Sequence, residues 1–171
     1  LHDALPICKD KEVRYYICTN DKDAYSSDSW LYNWTKMDKP IRIKGLGHLE
    51  LDDKKVLRGQ GRKWFYAQWV KGDAVDGLKP SEIAGKKFGD ISCFNLLNSC
   101  TTDAECIEAV YKQYLSWYPT PTTYTAWDGT VHTKTTTELM DMYAAGVWMK
   151  RYEGDVIDTK MIMAKLGVIY E

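Results

Sequence analysis

Residues 58–71 read Arg58-Gly59-Gln60-Gly61-Arg62-Lys63-Trp64-Phe65-Tyr66-Ala67-Gln68-Trp69-Val70-Lys71. The glycines punctuate a turn, and the run KWFYAQWV (63–70) is dense in aromatic and branched side chains that favour strands. Taken as a strand, it presents Trp64, Tyr66, Gln68 and Val70 on one face and Phe65, Ala67 and Trp69 on the other. Upstream, Ile41 and Ile43 alternate with Arg42 and Lys44. Leu49 and Leu51 then alternate with His48 and Glu50 before Asp52-Asp53 turns the chain. Residues 41–71 thus predict an antiparallel β-meander.

Charge is segregated onto this stretch. Residues 54–71 hold six basic side chains (Lys54, Lys55, Arg58, Arg62, Lys63, Lys71) and no acid. The chain as a whole carries −1, so the remainder carries −7. Cations flanking a strand of aromatics are the ingredients of a nucleic-acid platform, on which rings stack bases and cations meet phosphates. This assigns phosphate contacts to Arg58, Arg62, Lys63 and Lys71, and stacking to Trp64, Tyr66 and Trp69.

The rest of the sequence supplies helices. Val13 to Cys18 reads as a strand, and Ser27 or Asp28 caps a short helix to Met37 that gathers Trp30, Trp34 and Met37 on one face. Ser81 caps a segment over 82–87, and 91–98 forms a second short helix. Thr102 to Glu105 is a capping box that opens a helix to about Trp117, stopped by Pro119 and Pro121. Asp128-Gly129, between two runs of β-formers, predicts a type I′ hairpin. Thr135 and Glu138 form another capping box for a helix to about Tyr152. Thr159 caps a last helix that Gly167 ends, and 168–170 adds an edge strand. The expected fold is one α+β domain: an antiparallel sheet of about four to six strands with helices packed on one side.

Composition narrows the classes. A chain of 171 residues, 44% hydrophobic and 27% charged, suffices for one core, and no apolar run approaches the ~20 residues that span a bilayer. Leu1 to Ile7 reads as the translation of a common short-read sequencing adapter, which sets the domain at 8–171 and implies a truncated N-terminus. The five cysteines (Cys8, Cys18, Cys93, Cys100, Cys106) lack a CxxC pair. They read as free thiols of a reducing cytoplasm, with a disulfide among the last three as the alternative.

Three segments resemble known motifs or families. Residues 78–97 (LKPSEIAGKKFGDISCFNLL) resemble a helix-turn-helix, with Ser92 and Asn95 exposed on the second helix, although one extra residue separates Ala84 from Gly89 and that helix carries no basic residue. Residues 58–63 resemble the pyrophosphate loop of GNAT-family acetyltransferases, where amides at a helix start cradle acyl-CoA, but Lys63 stands where Gly or Ala is required. Trp127-Asp128-Gly129-Thr130 is similar to the haloacid-dehalogenase nucleophile motif, except that Ala126 replaces the nucleophilic Asp. His48, Glu50 and His132 are the material for a two-histidine, one-carboxylate metal triad, and Glu50, Asp52 and Asp53 form an acidic cluster beside it. No P-loop, G-x-S-x-G, HExxH or EF-hand occurs, and no cofactor is expected. The leading expectation is a nucleic-acid-binding module. The alternatives are a small enzyme, acyl-CoA-dependent or centred on His48 and Glu50, and a structural or assembly protein of viral type whose aromatic face packs on a protein partner or another copy.

Overall fold

The computed structural model describes residues 16–150 and 152–170. The adapter-like heptapeptide, Cys8 and the first three residues of the expected strand at 13–18 lie outside them. Among the described residues, seven strands run in chain order: β1 (Tyr16–Cys18), β2 (Trp30–Tyr32), β3 (Ile41–Arg42), β4 (His48–Leu51), β5 (Leu57–Gln60), β6 (Thr122–Thr125) and β7 (Val131–Lys134). The helices are α1 (Arg62–Lys71), α2 (Asp90–Leu97), α3 (Asp103–Trp117), α4 (Thr136–Val147) and α5 (Thr159–Lys165), with a short 3-10 helix at Lys22–Ser26. Among the described residues, no helix is long and apolar enough to cross a membrane.

The mixed α+β class holds, but the single sheet does not. The strands form three small sheets, β1-β2-β3, β4-β5 and β6-β7. The decisive departure is at 62–71, where the expected strand is helix α1. All eight residues from Lys63 to Val70 are buried, so the helix is enclosed on every side. Such a helix shows no amphipathic stripe, and its aromatic content mimics a strand. Gly61 (φ 75) sets its start and Gly72 (φ 79) its end. A Cβ on Gly72 would fall 2.1 Å from the Leu78 carbonyl oxygen, so only glycine lets the chain double back there.

Helix α1 is the hub of the core. It packs against α2, α3, α4 and the 3-10 helix. Trp69 is fully buried and donates its indole N–H to the Met140 carbonyl at 2.9 Å, while the Tyr114 hydroxyl donates to the Trp69 carbonyl at 2.8 Å. Three helices are thus tied through buried aromatic side chains whose polar ends are satisfied. A second, smaller core of Ile17, Ala24, Leu31 and Ile43 lies under the β1-β2-β3 sheet, and Tyr25 packs against both cores.

Other local expectations divide. The Thr135/Glu138 capping box is present, with α4 ending at Val147. Thr102 caps α3 through the Glu105 amide. The 122–134 hairpin forms, but the Gly129 amide donates to the Ala126 carbonyl and only Gly129 of the loop has positive φ. The turn is therefore type I followed by a left-handed glycine, not type I′. Residues 30–32, expected in a helix, are strand β2, and Arg58 to Gln60, expected in a turn, belong to β5. Residues 82–85 are turns and 86–87 have no regular structure, which removes the first helix of the helix-turn-helix resemblance. Asp158 rather than Thr159 caps α5, and 168–170 form no strand.

Candidate nucleic-acid interface

All seven residues assigned to the meander surface are engaged within the protein. Trp64, Tyr66 and Trp69 are buried on α1, so their rings pack in the core and cannot receive a base. The Trp64 indole donates to the Lys22 carbonyl at 3.1 Å, and the Tyr66 hydroxyl donates to Asp103 at 3.2 Å. Burial, reinforced by the Asp103 charge, pushes the Tyr66 phenol well above its ordinary range. Lys63 is 6% exposed and donates to the carbonyls of Cys100 (2.6 Å) and Asn98 (3.2 Å), just beyond the C-terminus of α2. Arg62 grips Asp103 with two bonds, 2.8 and 2.7 Å. Lys71 pairs with Asp90 at 2.8 Å and Arg58 with Asp52 at 3.2 Å. Four of the six cations in the basic run, Arg58, Arg62, Lys63 and Lys71, thus serve structural contacts, while Lys54 and Lys55 are exposed. Of the seven, Arg58 and Arg62 remain exposed.

The acyl-CoA loop fails for a related reason. A strand does lead through 58–61 into a helix, as that family requires, but the amides at the helix start are taken. Gly61 donates to the Tyr25 carbonyl at 2.8 Å, Arg62 to Gly45 at 3.2 Å and Lys63 to Leu46 at 2.7 Å. No donor is left there for a pyrophosphate. His48 and Glu50 lie on β4, whereas His132 lies on β7 of another sheet, and the three do not converge.

The structure instead assembles an aromatic surface from residues the meander reading did not include. β1 and β2 pair in parallel with Tyr16 opposite Trp30, and β2 and β3 pair antiparallel with Trp30 opposite Arg42. Residues in register across a sheet share a face. Tyr16, Trp30 and Arg42 therefore form a row across all three strands, and all three are exposed. Tyr16 is 51% and Trp30 38% exposed, with ring centroids 5.8 Å apart and planes inclined at 46°. Tyr32 and Cys18 occupy the next row. Ile17 and Leu31 point to the other side and are buried. This division follows from the period of two: aliphatic residues at 17, 31 and 41 face inward, and aromatic or basic ones face out.

Cations border the rings. Arg42 pairs with Asp28 at 2.6 Å, both side chains being well exposed, and exposed Lys39 and Lys44 flank β3. Trp34, just past β2, is 56% exposed. The signal in the sequence was the alternation in Tyr16-Ile17-Cys18, Trp30-Leu31-Tyr32 and Ile41-Arg42-Ile43. A Ser27/Asp28 cap with Trp30 and Trp34 four residues apart hid it behind a helical pattern.

A concavity of about 530 Å³ opens between the β4-β5 hairpin, the 3-10 helix and the end of α1. Lys22, Lys36, His48, Arg58, Gln60 and Lys71 line it together with Glu50 and Asp73. Burial raises Asp73, but Lys22 and the Val75 amide outweigh it and hold the carboxyl below its ordinary range. Asp23, behind this wall, is raised by burial.

The four described cysteines, Cys18, Cys93, Cys100 and Cys106, are free thiols. No protein-family model matches the chain, and neither the curated proteins nor the solved structures compared with it give a match, so function has to be read from its own geometry.

Proposed function

We propose that the protein binds single-stranded nucleic acid on the exposed face of the β1-β2-β3 sheet. Tyr16, Trp30 and Tyr32 stack bases, and Arg42, Lys39 and Lys44 meet the phosphates. The observation that carries this reading is the in-register row of Tyr16, Trp30 and Arg42, exposed over a buried aliphatic face. Soluble proteins tend to bury such rings, and two adjacent exposed rings beside a guanidinium suit a flat π-faced, anionic ligand. The Arg42–Asp28 pair does not prevent this, because an exposed ion pair is worth at most about 1 kcal/mol and a phosphate can replace the carboxylate.

The surface is small, and the expected affinity is correspondingly modest. Each stacked base contributes about 1–3 kcal/mol, and three phosphate contacts on a single strand give a log–log salt slope near about −2. Fluorescence anisotropy with a labelled single-stranded oligonucleotide tests this. Trp30→Ala should weaken binding by about tenfold or more, while Arg62→Ala, whose guanidinium is held by Asp103, should leave the intrinsic affinity of the folded protein unchanged. Absence of binding at low salt, or equal affinity for Trp30→Ala and wild type, overturns the proposal.

A further inference from the structure

The concavity beside the 3-10 helix is lined by charge that the sheet reading leaves unused. In the β4-β5 hairpin His48 lies opposite Gln60 and Glu50 opposite Arg58, so the period of two sets these four side chains on one face. Leu49 and Leu57, on the other face, are buried. All four polar residues line the concavity. Lys22 joins them from the 3-10 helix, Lys36 from the turn after β2 and Lys71 from the end of α1. Its carboxylates are Glu50 and Asp73, so the lining holds two more cations than acids.

Two of these cations are committed. Lys22 pairs with Asp73, and Lys71 pairs at 2.8 Å with Asp90, which stands outside the lining. Arg58 and Lys36 are open to a ligand. The Arg58 side chain is 55% exposed, and its 3.2 Å pair with Asp52 is the kind of surface contact an anion can replace. Lys36 is exposed and enters none of the ion pairs of the described residues. Beside them Gln60 Nε2 and His48 Nδ1 lie 3.3 Å apart, a polar pair at the same surface.

The concavity also adjoins the aromatic sheet. Tyr25 lines it and packs against both the main core and the small core under β1-β2-β3. Lys36 follows exposed Trp34 by two residues on the turn that leaves β2. We propose that this concavity binds a terminal phosphate monoester of the single strand held on the sheet, with Lys36 and Arg58 as its cations; the assignment rests on the nucleic-acid reading above. Charge favours a chain end: a monoester carries about −1.5 to −2 at neutral pH, which suits the cationic excess better than the single charge of an internal diester. Shape agrees, because walls on three sides receive an end more readily than a strand running through. The volume of about 530 Å³ lies within the range of about 300–1,000 Å³ usual for small-ligand sites.

Fluorescence anisotropy with the full chain tests the end site, using an internally labelled oligonucleotide that carries a 5′-phosphate, a 3′-phosphate or hydroxyls at both ends. One phosphorylated form should bind about tenfold more tightly than the hydroxyl form, the worth of a charge-assisted contact. Only one should gain, because the sheet fixes the polarity of the strand. Lys36→Ala should abolish that preference and leave affinity for the hydroxyl form unchanged. Glu50→Gln should enlarge the preference by removing the opposing carboxylate, and both variants should keep the melting temperature of the wild type. Trp30→Ala should weaken all three oligonucleotides alike. Equal binding of the three forms overturns the end site while the sheet reading stands, and so does an equal gain at both ends, which reports added charge alone. A preference that survives Lys36→Ala also overturns it. If none of the three binds at low salt, the sheet reading fails and the end site falls with it.

Discussion

Lys63→Met separates a structural lysine from a phosphate-binding one. Methionine keeps the stem of the side chain and removes only the ammonium. In the structure that ammonium lies against the carbonyls of Cys100 and Asn98 at 2.6 and 3.2 Å, where it caps the negative end of α2. The Cys100 bond is buried, so its carbonyl would lose its charged donor without water replacing it, at a cost of about 1–3 kcal/mol. Loss of the interaction with the helix terminus adds about 0.3–1 kcal/mol. Part of this returns, because the variant no longer has to desolvate an ammonium. The net is a destabilisation of about 2 kcal/mol, which for a domain of this size lowers the melting temperature by about 4–8 °C. Urea denaturation of wild type and variant gives the free energy, and oligonucleotide anisotropy at a temperature where both are folded gives the binding. The reasoning is refuted if Lys63→Met is as stable as wild type and its oligonucleotide affinity falls.

Three further outcomes are expected. Gly72→Ala forces a Cβ onto the Leu78 carbonyl at a backbone φ of 79° and should cost about 3 kcal/mol or more in chemical denaturation, and a loss below 1 kcal/mol contradicts the close approach. Burial raises Asp90, but its bonds from Lys71 and the Leu57 amide outweigh that and hold it below the ordinary aspartate value of 3.8. Its folded pKa is therefore lower than its unfolded one, so its contribution is full above about pH 4 and is lost as pH falls through the lower folded value. Asp90→Asn should cost about 1 kcal/mol at pH 7, and the gap to wild type should close in acid, whereas a gap constant from pH 7 to pH 2 refutes it. Burial pushes the Cys93 and Cys106 thiols up to about 12, so an aromatic disulfide reagent at pH 8 should label exposed Cys18 in the native protein and reach Cys93 and Cys106 only on unfolding, as read by peptide mapping. Native labelling of Cys106 at the rate of Cys18 contradicts the burial.

Legibility followed burial on one side. Elements with a solvent face or a polar cap could be read: Thr135 and Glu138 announce α4, Thr102 announces α3, and the glycine of the 122–134 hairpin marks its turn. Helix α1 could not, because a helix enclosed on all sides leaves no periodicity, and the eight buried residues from Lys63 to Val70 look as much like a strand. The same misreading turned structural cations into phosphate contacts. The charge run was real, but Arg62, Lys63 and Lys71 answer Asp103, two carbonyls and Asp90, drawn from segments 19 to 41 residues away. One sequence cannot show such distant partners. The aromatic sheet was present as alternation in three short strands, yet each is only two or three residues long, too short to outvote a capping signal at Ser27 and Asp28.

The central claim is that nucleic acid lies on the face built by Tyr16, Trp30 and Arg42. Ultraviolet cross-linking of the full chain to a single-stranded oligonucleotide, followed by mass-spectrometric mapping of the modified peptides, reads that contact without any substitution. The account predicts cross-links at Tyr16, Trp30 and Tyr32 that disappear at high salt, and none at the buried Trp64, Tyr66 or Trp69. Cross-links confined to residues 58–71, or none on the sheet under conditions where binding is measured, would contradict it.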